Sequence, residues 1–327
     1  MILVKHNNEG NLKPYFYFAL EEYILKNLLK DDEAYFFTWE IHGVVCGKNQ
    51  VIENEVNLKF MKDNNLDIYR RPTGGGTIYA DHRNTMYSMI TKKADNFSFK
   101  PYLELVIKAM KKLDVEITFS GRNDLLFENK KISGVAFLQN KYGVLIHGTF
   151  MYDVDIETMV RAISPDNEKL ISKGIDSVKS RVVNLKPYLN GMTQDELINH
   201  LNNEITSKEY VLSKEEVEMI SKMAEKYESK DWRFRIQPEY SKRLSKRISG
   251  GMFNIDLNLK RGIIESVKFT GDFFDLFPID ILEEAFKNVP YTKEAVDQVL
   301  TQINVENMIL DVKKDELLDL FVSGMIE

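Results

Sequence analysis

The chain has 327 residues, of which 43% are hydrophobic and 29% are charged, and its formal net charge is −6. This length is sufficient to bury the cores of one large domain and one small domain. The acidic balance and the scattered basic residues exclude a nucleic-acid-binding protein, so we expect no nucleic-acid partner.

The cysteine count and the apolar runs indicate the compartment. Cys46 is the only cysteine, which excludes a disulfide within the chain and is typical of a reducing compartment. The segment MILVKHNNEG at the start lacks the charged-then-apolar pattern of a signal peptide. No apolar run approaches the ~20 residues that a membrane helix needs. We therefore expect a soluble, cytoplasmic protein without a membrane partner. A monomer is a separate expectation that these features do not establish.

The first part of the chain alternates between helical and strand patterns. Apolar residues recur at helical spacing through residues 14–30 and predict an amphipathic helix. The aromatic and β-branched run at 34–47 predicts a pair of strands broken at Gly43. The elements predicted next, in chain order, are a helix at 56–64, strands at 66–70 and 85–91, a helix at 102–113, strands at 116–120 and 124–127, and a hairpin of 131–138 with 144–152.

The last part of the chain has a different pattern. The segment YSKRLSKRISGG at 240–251 is basic and ends in glycines, which predicts a linker. A hairpin of 252–257 with 263–270 follows, and then helices around 279–288, 292–303 and 313–323. We therefore predict an α/β (α+β) fold with two domains. These are a large mixed-sheet domain at residues 1–245 and a small α+β domain at residues 246–327.

The segment Arg70-Arg71-Pro72-Thr73-Gly74-Gly75-Gly76-Thr77 follows a predicted strand. Successive glycines let the backbone approach a ligand and direct N–H groups at phosphate or carboxylate oxygens. Guanidinium groups match the geometry of phosphate. The spacing is that of neither a Walker A loop nor a dinucleotide fingerprint. The alternative is a surface turn with incidental arginines.

Lys131-Ile132-Ser133-Gly134 is the second candidate segment. A lysine beside small residues can approach a ligand, and its ammonium group could stabilise charge in an adenylation transition state. Asp124 could bind Mg²⁺ or orient Lys131, because carboxylate oxygens suit both. The alternatives are an ordinary surface lysine and an Asn-Asp turn at 123–124.

His147 and Cys46 both lie in apolar strand patterns. A histidine in such a strand is more often a core residue than a catalyst. For the same reason, the pattern favours a buried and inert thiol at Cys46. No Cys/His metal spacing and no GxSxG motif is present in the sequence.

Taken together and in order, these segments resemble the lipoate–protein ligase family. The tail, with Trp232, Pro238 and GDFF at 271–274, is similar to the accessory domain of many such ligases. The matching segments are GKNQ (47–50), RRPTGGGTIYAD (70–81), GRNDL (121–125), KISG (131–134), HGT (147–149) and GIDSVKSRVVNL (174–185).

The resemblance implies a fold and a reaction. The large domain should be a biotin/lipoate-ligase-like catalytic domain, and the tail a C-terminal accessory domain. Lipoate would attack the α-phosphate of ATP, with Mg²⁺ present, to give lipoyl-AMP and pyrophosphate. A lysine of an apo lipoyl-carrier protein, an E2 subunit or the glycine-cleavage H protein, would then attack the adenylate. An apolar tunnel for the lipoate tail could be lined by residues 44–46 and 132–137.

The resemblance also implies roles for individual residues, with Lys131 as the catalytic residue that contacts both lipoate and phosphate. Asp124 is the candidate Mg²⁺ ligand. Residues implied at ATP or lipoyl-AMP are Arg70, Arg71, Gly74, Gly75, Gly76, Thr77, Ile78, Tyr79, Asn123, Asp124 and Lys131, and those implied at lipoate are Lys131 and His147. The chain departs from the family pattern at Ala80, where histidine is usual, and at Arg83, where glycine is usual.

Two other functions remain as alternatives. Octanoyl- or lipoyl-transferases of the same superfamily work without ATP and use a cysteine nucleophile, for which Cys46 is the only candidate. A non-catalytic protein that binds lipoyl carriers is the other alternative. The intact Lys131 and the intact RRxTGGG segment argue against it, because a degenerate binder should have lost one of them.

Overall fold

The computed structural model describes residues 1–7, 12–93, 98, 100–120, 123–163, 178–234, 242–260 and 262–325. Its contacts divide the chain into two compact units. The first unit is Met1–Val45, Glu55–Arg71 and Ile78–Arg233, and the second is Cys46–Asn54, Pro72–Thr77 and Phe234–Glu327. Among the described residues, no helix has the length and apolar character needed to span a membrane.

The described residues form fifteen strands and twelve α-helices. The strands are β1 Ile2–His6, β2 Ala34–Trp39, β3 Gly43–Cys46, β4 Asp67–Arg70, β5 Ile78–Ala80, β6 Asn84–Thr91, β7 Ile117–Phe119, β8 Asp124–Phe127, β9 Lys130–Gln139, β10 Val144–Met151, β11 Lys208–Leu212, β12 Lys242–Ile248, β13 Gly251–Lys260, β14 Ile263–Gly271 and β15 Val289–Pro290. The helices are α1 Pro14–Tyr23, α2 Ile52–Glu55, α3 Leu58–Asp63, α4 Lys100–Lys111, α5 Ile156–Ala162, α6 Gln194–Ile205, α7 Lys214–Glu228, α8 Lys230–Arg233, α9 Ile279–Ala285, α10 Lys293–Gln302, α11 Val305–Met308 and α12 Lys314–Val322.

An eight-stranded mixed sheet forms the centre of the first unit, in the order β11-β1-β2-β6-β10-β9-β8-β7. β1 is parallel to both β11 and β2, whereas β6, β8, β9 and β10 pair in antiparallel fashion. Every residue of β10 is buried, as expected for a central strand. Helix α1 buries most of its residues and packs against α7, and a π-helical turn, Ile24–Leu28, extends α1.

Strands β2 and β3 belong to different sheets. β3 lies between β4 and β5 in a separate three-stranded sheet. The prediction of two strands broken at Gly43 is confirmed, but the expectation that they pair is wrong. A side chain at Gly43, whose φ is +138°, would meet the backbone oxygen of Asp67 at 2.2 Å, so the chain passes too close to Asp67 there for any other residue.

A four-stranded antiparallel sheet, β12-β13-β14-β15, and helices α9 to α12 make up most of the second unit. Its buried core includes Phe253, Phe269, Phe273, Phe286 and Phe321. The segments Cys46–Asn54 and Pro72–Thr77 belong to this unit although they are distant from it in sequence.

The linker predicted at 240–251 is wrong for residues 242–248, which form β12 and pair with β13. Leu244 and Ile248 are buried on one face of this strand, and four basic side chains around them hid the strand pattern. Residues 240 and 241 lie outside the described part of the chain. The domain boundary predicted between residues 245 and 246 falls within β12.

Candidate functional site

Lys131 lies on β9 and forms an ion pair with Asp124 on β8. The distance from Lys131 Nζ to Asp124 Oδ1 is 2.7 Å, and the two side chains are 36% and 29% exposed. β8 and β9 are neighbouring antiparallel strands, with a register irregularity between Leu125 and Leu126. The pair is therefore placed by the sheet and remains accessible to a ligand.

The backbone of Lys131 is bound by a segment that is distant in sequence. Its N–H donates to the carbonyl of Arg181 at 2.7 Å, and its carbonyl accepts from the N–H of Val183 at 3.0 Å. These residues belong to the segment GIDSVKSRVVNL, of which residues 174–177 lie outside the described part. Two of the segments singled out in the sequence are thus brought together at Lys131.

Gly134 and Asn123 shape the surroundings of Lys131. A Cβ at Gly134 would lie 3.0 Å from Lys131 Nζ, so glycine leaves room for the ammonium group. The Asn123 amide Nδ2 donates to the carbonyl of Val135 at 3.1 Å, and the Val135 N–H donates to the Asn123 carbonyl at 2.8 Å. Asn123 therefore fixes the start of β8 to β9. Gly121 and Arg122, from the same predicted segment, lie outside the described residues.

His147 lies in a buried polar network that the sequence did not reveal. It is 2% exposed, and its Nδ1 lies 2.9 Å from Oε1 of Glu21, which is fully buried on α1. The hydroxyl of Ser88 donates to the same oxygen at 2.6 Å, and the indole of Trp39 donates to that hydroxyl at 3.0 Å. These contacts favour the interpretation of His147 as a core residue, while a role at lipoate stays a prediction.

Both predicted arginines are buried and bind backbone carbonyls. Arg70 is 0% exposed, and its Nε donates to the carbonyl of Arg233 at 2.7 Å. The indole of Trp232 donates to the carbonyl of Arg70 at 2.9 Å. Arg71 is 4% exposed and donates to the carbonyl of Val45 at 3.1 Å. In these contacts the arginine side chains donate hydrogen bonds to backbone carbonyls. Their contact with phosphate stays a prediction.

Ile78 and Tyr79 lie on β5, opposite Val45 and Val44 of β3. Burial, together with the nearby carboxylate of Asp81, raises the pKa of the Tyr79 hydroxyl to about 12. The hydroxyl therefore stays protonated at neutral pH. Both residues follow the glycine-rich segment directly in sequence, and the binding of ATP by their backbone stays a prediction.

Arg83, one of the two departures from the family pattern, forms an ion pair with Asp81. Its Nη2 lies 3.0 Å from Asp81 Oδ2, and this hydrogen bond raises the pKa of the guanidinium group. The same Asp81 oxygen accepts the backbone N–H of Asp155 at 3.1 Å. Ala80, the other departure, is fully buried.

The glycine-rich loop, Gly74–Thr77, belongs to the second unit. A Cβ at Gly74 would lie 2.8 Å from the carbonyl oxygen of Phe273, and Gly75 has a φ of +85°. Both positions therefore require glycine for packing or backbone reasons. A Cβ at Gly76 would meet only Asp272 Cβ, at 3.8 Å. The hydroxyl of Thr77 donates to Gln50 Oε1 at 2.8 Å.

Lys48, Asn49 and Asp275 are polar residues near this loop to which the sequence gave no role. Lys48 and Asn49 donate to the carboxylate of Asp275 at 2.7 and 3.0 Å. The segment GKNQ was recognised as part of the family pattern, which could have drawn attention to Lys48. No local pattern marks Asp275, because its partners are more than 200 positions away in sequence.

Comparison with known families identifies the chain. The profile of the lipoyl protein ligase A/B catalytic domain matches residues 13–206, and that of the bacterial lipoate protein ligase C-terminus matches residues 237–321. The chain is also 34% identical, over 325 residues, to lipoate-protein ligase LplJ of Bacillus subtilis, with 96% of this chain and 98% of LplJ covered.

The chain belongs to the lipoate–protein ligase family. It is accordingly a ligase, as its sequence predicted. The fold of lipoate ligases is confirmed by two solved structures. P. falciparum LipL1 in complex with lipoate has a TM-score of 0.79 and 24% identity, covering 98% of this chain and 97% of LipL1. A lipoate-protein ligase A bound with ATP has a TM-score of 0.59 and 21% identity, covering 72% and 97% of the two chains.

In this lipoate–protein ligase, Cys46 is fully buried. The hydroxyl of Thr77 lies 3.7 Å from its sulfur. The prediction of a buried cysteine is confirmed.

The first unit also contains a cavity of about 670 Å³, lined in part by Tyr17, Trp39 and Tyr69. Neither of the two segments proposed to line a tunnel, 44–46 and 132–137, lines this cavity. Their role in binding the lipoate tail stays a prediction. Among the described residues, no group of three or more His, Cys, Asp or Glu side chains could hold a metal ion.

Proposed function

We propose that this ligase activates lipoate with ATP and attaches it to a lysine of an acceptor protein. In the first step, a carboxylate oxygen of lipoate attacks the α-phosphorus of ATP, and pyrophosphate leaves. In the second step, the acceptor amine attacks the carbonyl carbon of lipoyl-AMP, AMP leaves, and the amine loses a proton. Adenylation is needed because a free carboxylate is a poor acylating agent.

The observation that carries the proposal is the partly exposed ion pair of Lys131 and Asp124, on strands of the matched catalytic domain. The ammonium group is bound by one carboxylate, and Gly134 leaves space beside it. A cation held in this way can stabilise the negative charge that develops on the α-phosphate. Asp124 would orient the ammonium group for that task.

ATP is the proposed second substrate, with the glycine-rich loop and the backbone of Gly76–Tyr79 as its binding segment. Gly74 and Gly75 permit a backbone path in which N–H groups can face phosphate oxygens. A ligase of similar fold is described as bound with ATP, and another as bound to lipoate, which supports both ligands here. Arg70 and Arg71 would support the strand that leads into this loop.

Mg²⁺ is proposed to accompany ATP. Asp124 is the one predicted ligand, and its carboxylate is shared with Lys131. Mg²⁺ commonly binds through one or two carboxylates together with substrate phosphates and water, so a single protein carboxylate fits this role. The ion would neutralise phosphate charge.

The proposed acceptors are apo lipoyl-carrier proteins, either E2 subunits or the glycine-cleavage H protein. A bipartite archaeal ligase of similar fold is described together with its E2 lipoyl domain, which supports this class of partner. We further propose a monomer that acts in the cytoplasm. Transfer without ATP is disfavoured, because it would require Cys46, and that thiol is fully buried.

The first step can be tested by measuring pyrophosphate released from ATP on addition of lipoate. We expect release that depends on lipoate and yields lipoyl-AMP. Lipoamide is a matched control, since it has the same tail but no carboxylate to attack phosphorus, and should give no release. Equal release with lipoamide, or none with lipoate, would contradict the proposal.

A further inference from the structure

A buried carboxylate outside the recognised motifs holds the segment that precedes the glycine-rich loop in the second unit. Asp275 follows the sequence GDFF, and its side chain is 5% exposed. Its Oδ2 accepts from Lys48 Nζ at 2.7 Å, and its Oδ1 accepts from Asn49 Nδ2 at 3.0 Å. One carboxylate thus binds two consecutive residues of the segment GKNQ.

The same region binds the glycine-rich loop through its backbone. The N–H of Lys48 donates to the carbonyl of Thr73 at 2.8 Å, and the N–H of Gly75 donates to the carbonyl of Phe273 at 3.1 Å. A Cβ at Gly74 would lie 3.3 Å from Asp275 Oδ1. The loop therefore lies against both Lys48 and the segment that carries Asp275.

Asp275 projects from a well-packed part of the second unit. Phe273 is fully buried and stacks on Phe253, with ring centroids 4.6 Å apart. On the other side, Leu276 N–H donates to the carbonyl of Met308 at 2.7 Å, and Phe274 accepts from Leu310 N–H at 2.9 Å. The packing of this segment thus fixes the position from which the Asp275 carboxylate binds Lys48 and Asn49.

The strength of these contacts follows from burial. The Lys48 side chain is 21% exposed, so the ion pair is largely removed from water. Hydrogen bonds between ionised groups are stronger than neutral ones, so loss of the Asp275 carboxylate removes a strong contact from Lys48. A neutral residue at 275 should therefore loosen the 47–50 segment and, with it, the loop, although their backbone hydrogen bonds remain.

We propose that Asp275 is a positioning residue for the reaction with ATP. It holds Lys48 and Asn49 and thereby fixes the conformation of Gly74–Thr77, without contacting the reacting atoms itself. The inference rests on the proposed function, in which this loop binds ATP. It extends that function by assigning a role in the nucleotide step to a residue of the C-terminal region.

The test compares Asp275→Ala with a matched control, Asp256→Ala. Asp256 is also a buried carboxylate of the second unit, and it forms an ion pair with Arg243 on the neighbouring strand. We expect Asp275→Ala to raise the KM for ATP about tenfold, with the KM for lipoate unchanged. Amide hydrogen exchange in residues 73–77 should also become faster. Asp256→Ala should alter neither quantity.

Asp275→Asn provides a second variant that preserves shape. It keeps an oxygen for Asn49 but loses the ion pair with Lys48, so its KM for ATP should lie between those of the wild type and Asp275→Ala. It also serves if the alanine variant does not fold.

Hydrogen exchange separates this inference from the proposed function. Unchanged exchange in residues 73–77 of the Asp275 variants would overturn the positioning role, whatever the activity. A lower KM for ATP would overturn it too, because the segment at 273–275 would then compete with ATP for the loop. A wild type without lipoate-dependent pyrophosphate release would contradict the proposed function, while exchange still decides the role of Asp275.

Discussion

The proposed function depends mainly on Lys131 and on the glycine-rich loop. The surrounding structure supports these two regions in different ways. Lys131 lies on β9, a strand of 10 residues paired with β8 and β10, and its side chain meets Asp124 on the adjacent strand. The loop Gly74–Thr77 lies outside any strand. It is held by backbone contacts to Lys48 and Phe273 and by the closeness of Asp275.

This difference predicts two kinds of mutational effect. Lys131 is supported by backbone pairing, so its side chain can be removed without loss of the strand. The loop depends on glycine at two positions and on distant partners, so changes there should affect stability and nucleotide binding together.

Lys131→Ala should have the largest effect on activity. Removing a charge that stabilises the transition state lowers rates by about a thousandfold, and we expect that loss in lipoate-dependent pyrophosphate release. The unfolding free energy should change by less than about 1 kcal/mol, because the side chain is partly exposed and paired. Lys130→Ala, one position away on β9, is the control and should keep its rate. A comparable loss in both variants would count against a special role for Lys131.

Glu21→Ala should have the largest effect on stability. It removes the acceptor of Ser88 and His147 inside the core, and we expect a loss of about 3 kcal/mol in urea unfolding. The control is Glu209→Ala, which breaks an exposed ion pair with Lys5 and should cost less than about 1 kcal/mol. If Glu21→Ala instead raised the KM for lipoate with stability unchanged, His147 would belong to the ligand site rather than to the core.

Gly74→Ala should destabilise the second unit. The new Cβ would lie 2.8 Å from the carbonyl oxygen of Phe273, and relieving this clash should cost about 2 kcal/mol. At Gly76 the nearest atom to a new Cβ is 3.8 Å away and φ is not positive, so Gly76→Ala should change stability by no more than about 1 kcal/mol. Thermal unfolding of both variants measures the difference. Equal midpoints would mean that the loop does not pack against Phe273.

Arg83→Gly restores the usual residue of the family and should have the smallest effect. The Arg83 side chain is 48% exposed, so its ion pair with Asp81 should contribute less than about 1 kcal/mol. Urea unfolding of the variant measures this contribution. A larger loss would show that Arg83 and Asp81 together stabilise the turn after β5.

Many of the helices and strands could be predicted from sequence because apolar periodicity is a local signal, but none was predicted between residues 153 and 239. The hairpin of β9 and β10 and that of β13 and β14 were predicted to within a few residues. The strand at Lys242–Ile248 was missed because basic residues surround its two buried positions. Its pairing with β13 decides its structure, and such pairing has no local signal.

Prediction of the candidate site from sequence is also limited to contacts between residues that are close in sequence. The ion pair of Asp124 and Lys131 could be proposed from sequence, since a short turn joins their strands. The binding of Glu21 to His147 and of Asp275 to Lys48 could not, because these pairs are separated by 126 and 227 positions. A sequence motif identifies residues that can bind a ligand or take part in catalysis. The residues that hold those side chains in position can be identified only from the tertiary structure.

The central claim is ATP-dependent attachment of lipoate, and mass spectrometry of an apo lipoyl domain tests it most directly. The domain would be incubated with Mg²⁺ and the enzyme, either with lipoate and ATP or with an octanoyl carrier protein without ATP. We predict the mass of one lipoyl group only with lipoate and ATP, retained in Cys46→Ser and lost in Lys131→Ala. Acyl transfer from the carrier without ATP, lost in Cys46→Ser, would contradict the account and identify a transferase.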